Sequence, residues 1–258
     1  MKILLAALLL LAHMPAFCAP PRVEVVDVPS RPGVTQRILI ATPERALATL
    51  VLFAGGERPL GIQKDGSVVW GGPSLLVRSA PLFADAGFKV AIVDLPSDKQ
   101  SGPVGDYRES AVHAQDIAAV IAHLRVSNRL PVWLIGTSSG SASVLNAAIR
   151  LQKGGPDGIV LTSGIPAEPG SALVAQLGEI RVPTLSVRKA DPCNPAQQGD
   201  STGIMAALKN APRAAEIAVQ GSAPCGAAAA HGYLGMEKQL VDAIADWIKA
   251  GQRLPHFI

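Results

Sequence analysis

The stretch Trp133-Leu134-Ile135-Gly136-Thr137-Ser138-Ser139-Gly140-Ser141-Ala142 passes from an apolar, strand-like run into small residues suited to a helix, with Gly-x-Ser-x-Gly at the junction. A serine on so tight a strand-to-helix turn takes a strained backbone, and side chains two positions before and after it would collide. Glycine at 136 and 140 removes that collision. The start of the following helix favours negative charge beside Ser138. Alone the pattern is weak, because a chain with 25 glycines supplies such matches by chance. Its place between strand and helix gives it weight. Ser139 and Ser141 read as structural, with Ser139 contributing through its backbone N–H.

Working outward, β-branched runs alternate with Ala/Leu-rich stretches. Residues 23–28 and 37–41 read as leading strands around the turn Ser30-Arg31-Pro32-Gly33. Nearly continuous apolar runs at 48–54 and 89–95 fit strands buried on both faces, as do 132–135, 158–162, 184–187 and 215–219. Helices are expected at 75–86, 109–125, 139–151, 204–209 and 236–250. This order predicts an α/β domain: a mostly parallel sheet of about eight strands, helices on both faces and an antiparallel edge from the leading pair. In such sheets function gathers at the loops leaving the carboxyl ends of the strands.

That rule sorts the partners Ser138 would need, since a serine hydroxyl is a poor nucleophile without a base. Of five histidines, His13 lies in the N-terminal leader, His256 in the tail, and His113 and His123 in the long helix as solvated or core-edge residues. His231 follows the last strand, ahead of the final helix, and is the candidate base. Asp191 follows the strand ending near Val187 and is the candidate acid; Asp200, further along the same loop, is the fallback. Asp157 precedes a strand and points to the wrong edge. The chain order Ser138, Asp191, His231 is the one a triad takes in this kind of sheet.

Composition bounds the rest. The 258 residues suffice for one large domain; 48% are hydrophobic and 17% charged, with a net charge of +3 carried by scattered Lys and Arg. Nothing here supports nucleic-acid binding. Met1-Lys2, an apolar run over 3–12 and the small-residue zone around Ala16 to Ala19 read as a signal peptide over residues 1–19, leaving residues 20–258 as the folded domain. The apolar run is too short to span a bilayer. A periplasmic or secreted protein is expected, with a lipid anchor on Cys18 as the competing reading. Export leaves Cys193 and Cys225, an even pair in an oxidising compartment, and predicts a disulfide between them; two buried thiols are the alternative. A bridge there would tie the acid loop to the base loop.

An acyl-transfer site also needs N–H donors for the oxyanion. Phe53-Ala54-Gly55-Gly56-Glu57 ends a buried strand in the right place. Gly56 and Ser139 are the candidate pair, with Glu57 as the alternative to Gly56.

Taken together, these residues resemble the α/β-hydrolase superfamily over essentially the whole length after the leader. The chain is similar to small, lidless bacterial members whose acid loop reads Asp-Pro-Cys, here Asp191-Pro192-Cys193, and whose base loop carries a cysteine before His-Gly, here Cys225 to Gly232. Pro96-Ser97-Asp98 and His113-Ala114-Gln115-Asp116 are also familiar from that group. Ala54 departs from it, standing where a histidine usually precedes the oxyanion glycines. The resemblance implies hydrolysis of a carboxylic ester or similar acyl compound through an acyl-enzyme, without metal or cofactor, on a small-molecule substrate. A thioesterase or peptidase would use the same residues, and a silent binding protein of the same fold is the alternative from another class. The short stretch between the strands ending near Thr162 and starting near Val182 leaves no room for a large lid. Pocket walls would come from 57–73 and 97–108, with Trp70 and Tyr107 as candidate substrate contacts or, equally, packing residues.

Overall fold

The computed structural model describes residues 20–102, 104–127, 129–163, 172–190, 201–220 and 233–253. Strands β1 (Arg22–Arg31) and β2 (Val34–Thr42) form an antiparallel hairpin closed at Gly33, whose φ of 71° suits a residue without a Cβ. Then come β3 (Thr49–Phe53), α1 (Leu75–Asp85), β4 (Lys89–Pro96), α2 (Ala111–Ser127), β5 (Val132–Thr137) and α3 (Gly140–Arg150). The chain continues through β6 (Gly158–Thr162), α4 (Ala172–Ala175), β7 (Thr184–Ala190), α5 (Ser201–Ala207), β8 (Ala214–Gln220) and α6 (Glu237–Arg253).

The strands make one eight-stranded sheet in the order β1-β2-β4-β3-β5-β6-β7-β8. β1, β2 and β4 pair antiparallel, and every pairing from β4 through β8 is parallel. The expected mostly parallel sheet with an antiparallel edge is therefore present. Its central strands are buried throughout, and alternate residues serve opposite faces. Leu50, Leu52, Ile135 and Val160 join one core with α1 and α6, where Leu240, Val241, Ile244 and Ile248 are buried. Val51, Phe53, Leu134 and Leu161 join the other with α2 and α3, where Ile117, Val120, Ile121 and Leu124 recur at helical spacing. Among the described residues no helix is long and apolar enough to cross a membrane.

Two expectations needed correction. The long helix starts at Ala111, not Glu109, because residues 105–109 form a tight 3-10 turn. Ser110 then caps α2, its Oγ accepting the His113 N–H at 3.1 Å. His113 itself is neither solvated nor at the core edge: it is buried against Phe53 and Tyr107, ring centroids 6.1 and 4.5 Å away. The signal peptide and the disulfide fall outside the described residues, as do Cys18, Cys193 and Cys225.

Candidate active site

Strand order reverses at the centre of the sheet: β3 leads to β4 on one side, while β5, on its other side, leads to β6 and β7. The crevice beyond the carboxyl ends of two strands that diverge in this way is where open α/β sheets place ligands. Here the ends of β3 and β5 bring Gly55 against Thr137 and Ser138, and Gly56 against Ser139.

Ser138 takes a φ of 51°, one of three non-glycine residues with positive φ among the described residues. That conformation is costly and persists only where its surroundings enforce it. Three backbone contacts enforce it. A Cβ on Gly136 would lie 2.5 Å from the Gly140 carbonyl oxygen, and one on Gly140 only 2.0 Å from that of Phe53. A Cβ on Gly55 would meet the Thr137 carbonyl oxygen at 2.9 Å and the Ser138 Cβ at 3.0 Å. A side chain at 136 would thus strike the Gly140 main chain, whereas one at 140 would strike the end of β3 rather than residue 136, so the need for glycine at 140 comes from the neighbouring strand. The Ser138 N–H donates to the Thr162 carbonyl at 3.2 Å, fixing the turn to β6.

The Ser139 N–H has no backbone acceptor among the described residues, as is usual for the first N–H groups of a helix. Its side chain does more than the sequence suggested. Ser139 Oγ accepts the Gly56 N–H at 2.8 Å and donates back to the Gly56 carbonyl at 3.2 Å. The Gly56 N–H therefore points at a hydroxyl, and an incoming oxyanion would have to take that hydroxyl's place. Gly56 has a φ of 100°, with nothing within 4 Å of a built Cβ: conformation rather than crowding demands glycine.

Surrounding groups hold the two candidate walls. The buried Asp94 carboxylate, at the end of β4, accepts the N–H groups of Leu60 and Ile62 at 2.7 and 2.9 Å and pins the loop after Gly56. Arg31, on the leading hairpin, bonds Asp116 at 2.8 Å and grips Asp98 through two nitrogens at 3.0 and 2.9 Å. Its guanidinium holds the Asp98 carboxyl below the usual carboxylate range. Tyr107 donates to the other oxygen of Asp116 at 2.6 Å and is buried, so its role is packing rather than substrate contact. Trp70 is exposed and lies over Gly61.

Asp191, Asp200 and His231 lie outside the described residues, but residues flanking their loops converge. Tyr233, two residues after His231, is fully buried, with a φ of 52°. Its hydroxyl donates to the Val187 carbonyl of β7 at 2.9 Å, four residues before Asp191. Burial pushes that phenol up to about 12, against hydrogen bonds with Ser163 at the end of β6. Sequence reading passed Tyr233 over, and only its place behind His231-Gly232 could have flagged it.

His113 carries a pH consequence. Burial, then the nearby Arg108 charge, pushes its pKa down to about 3, against the pull of Asp116. Neither ring nitrogen has a hydrogen-bond partner among the described residues. The folded state holds the ring neutral while the unfolded chain titrates near 6.5, so the unfolded state binds the extra proton as pH falls. This contribution to stability is complete above pH 6.5 and shrinks by about 1.4 kcal/mol per unit below it, down to the folded value. Denaturant unfolding at pH 7 and pH 5 is expected to differ by about 2 kcal/mol from this group. His113→Leu should flatten the profile by that amount; an unchanged slope would place the titration elsewhere.

No family model matches the chain, and no curated protein matches its sequence. Solved structures do. The dienelactone hydrolase of Anabaena variabilis is similar at a TM-score of 0.63 and 15% identity, covering 90% of this chain and 99% of that one. A cold-adapted esterase from an Arctic intertidal metagenomic library gives 0.59 and 16% over 88% and 93%. An esterase of Pyrococcus furiosus gives 0.60 and 12% over 89% and 93%. At such identities the likeness speaks to architecture, and with the sheet described above it establishes the α/β-hydrolase fold.

Proposed function

We propose that the protein is an exported serine hydrolase that cleaves a carboxylic ester or similar acyl compound through an acyl-enzyme. The observation that carries this reading is the strained Ser138, locked between three glycines at the point where the sheet's strand order reverses. Strain of this kind is retained where it presents a reactive group. That the similar solved structures include esterases and a dienelactone hydrolase agrees with it.

In this reading His231 takes the Ser138 proton as Oγ attacks the acyl carbon, and Asp191 orients the imidazole and stabilises its charged form. The Ser139 N–H and one N–H of the 56–57 segment receive the oxyanion. On collapse of the tetrahedral intermediate His231 returns the proton to the leaving alcohol; water then repeats the sequence to release the acid. The Cys193–Cys225 bridge, formed after export, would hold the acid and base loops together.

A fluorophosphonate probe tests the reading directly. The folded protein is expected to gain one adduct, mapped by peptide mass spectrometry to Ser138. Native protein that resists the probe, or carries it on another serine, would remove the proposal.

A further inference from the structure

Arg108 is a charged residue in the core, 7% exposed, and none of its hydrogen-bond partners among the described residues is a carboxylate. Its Nη2 donates to the carbonyls of Gly56 at 2.9 Å and Ala54 at 3.2 Å, and its Nη1 to Ser143 Oγ of α3 at 2.9 Å. Nε has no partner. The guanidinium shares a small cavity with Phe53, Ala54, Gly55, His113 and Asp94, whose carboxylate is taken up by the Leu60 and Ile62 N–H groups. Glu57 acts on it electrostatically without a hydrogen bond. Burying a cation without a counter-charge in contact is costly. Fold stability alone gives poor reason to keep it, because an apolar residue of similar volume would fill the same space.

The position of its acceptors suggests what the charge does. A trans peptide sets each carbonyl antiparallel to the N–H of the next residue, and no described peptide bond is cis. Fixing the Gly56 carbonyl on Arg108 therefore fixes the Glu57 N–H to point the opposite way, away from the guanidinium. Fixing the Ala54 carbonyl does the same for the Gly55 N–H, beside the place where an added Cβ on Gly55 would meet Thr137 and Ser138. A cation on a carbonyl oxygen also polarises the peptide and strengthens its N–H as a donor. Glycine at 56, with a φ of 100°, has no side chain to set its own orientation. Its carbonyl is held from outside by Arg108 at 2.9 Å and by the weaker Ser139 Oγ contact at 3.2 Å, and Arg108 alone adds charge and reaches the Ala54 carbonyl as well.

We infer that Arg108 is the positioning residue of the oxyanion pocket, clamping the Ala54 and Gly56 carbonyls so that the 56–57 peptide presents a polarised N–H to the acyl oxygen. The inference rests on the serine-hydrolase reading above. Arg108 touches no substrate; it acts through the loop. Because Ser139 Oγ engages the Gly56 N–H, the clamp makes Glu57 the stronger loop-side donor.

The test uses Arg108→Gln and, as a milder variant, Ser143→Ala, which removes one guanidinium contact and leaves the charge. Steady-state kinetics on a short p-nitrophenyl ester are paired with inhibition by a trifluoromethyl ketone, which forms a tetrahedral oxyanion on the serine. Arg108→Gln is expected to lower kcat about 30-fold with KM within about twofold, and to weaken the ketone in proportion to kcat/KM. Ser143→Ala should show the same split at about threefold, and it decides the matter if Arg108→Gln does not fold. Unchanged kcat and ketone affinity in a folded variant overturn the inference. So does a raised KM at unchanged kcat, which would mark uniform substrate binding. Wild-type protein that resists the fluorophosphonate at Ser138 overturns the hydrolase reading and this one with it, and is thereby distinguished from failure of the clamp alone.

Discussion

Replacing Ser138 by alanine is expected to lower kcat on a short-chain p-nitrophenyl ester by about four to six orders of magnitude, with the residual rate close to that of a pocket without a nucleophile. The substitution removes one oxygen and leaves the surroundings in place. Alanine must adopt the same positive φ of about 51°, so the strain of the turn is kept rather than relieved. The Ser138 N–H to Thr162 bond and the three glycine contacts involve backbone, and all survive. Thermal unfolding should therefore stay near that of the wild type while turnover collapses. That divergence separates a nucleophile from a structural serine. A folded Ser138→Ala protein retaining a tenth of wild-type turnover would move the nucleophile to another residue.

The second large effect concerns Gly140 and is a matter of folding. A Cβ there would sit 2.0 Å from the Phe53 carbonyl oxygen, 2.8 Å from its carbon and 2.9 Å from the Ala54 oxygen. None of these is the end of a flexible side chain. They belong to the exit of β3, which pairs with β4 on one side and β5 on the other. To admit one methyl group, either α3 must move off the sheet or the central strand must shift. Overpacking in a side-chain core costs about 1–3 kcal/mol, and a backbone-on-backbone clash belongs at or above the top of that range. Gly140→Ala should thus lose at least about 3 kcal/mol by urea unfolding and abolish fluorophosphonate labelling. Gly72, with open space around it and no positive φ, supplies the control substitution. A Gly140→Ala protein with a wild-type midpoint would mean that β3 and α3 are not in contact in solution.

Much of this architecture was legible in the sequence because burial imposes the pattern. Thr49–Phe53, Val132–Thr137 and Gly158–Thr162 are apolar runs since the sheet is covered on both sides, and α2 repeats its apolar residues every three or four positions because one face lies on the sheet. The elbow was legible because backbone contact leaves glycine as the sole option at 136 and 140. What escaped is what local pattern does not encode. Arg108 is a charged residue in a short 3-10 turn that reads as loop in the sequence, a setting that ordinarily means solvent, and its burial follows only from where β3 and α3 come to rest. The tie between Ser139 Oγ and Gly56 spans 83 positions, and the Tyr233 bond to Val187 spans 46. The start of α2 was misjudged by two residues although Ser110 was there to cap it, because a 3-10 turn extends the helical-looking composition upstream.

The contact between β3, the elbow and α3 is made of main chain, and this divides the molecule's capacity for change. Atoms of the backbone cannot be exchanged by point substitution, so the geometry around Ser138 has almost no sequence neighbours through which it could drift. The loop over 57–73 is anchored on Asp94, and Asp98, Tyr107 and Arg108 are tied to Arg31, Asp116 and the β3 exit, so the exposed side chains between these fixed points can vary while the anchors stay. Selectivity can therefore diversify, in nature or by directed evolution, without disturbing the reaction centre. Libraries confined to exposed positions between these anchors, sparing Arg108, are the economical way to retarget this scaffold.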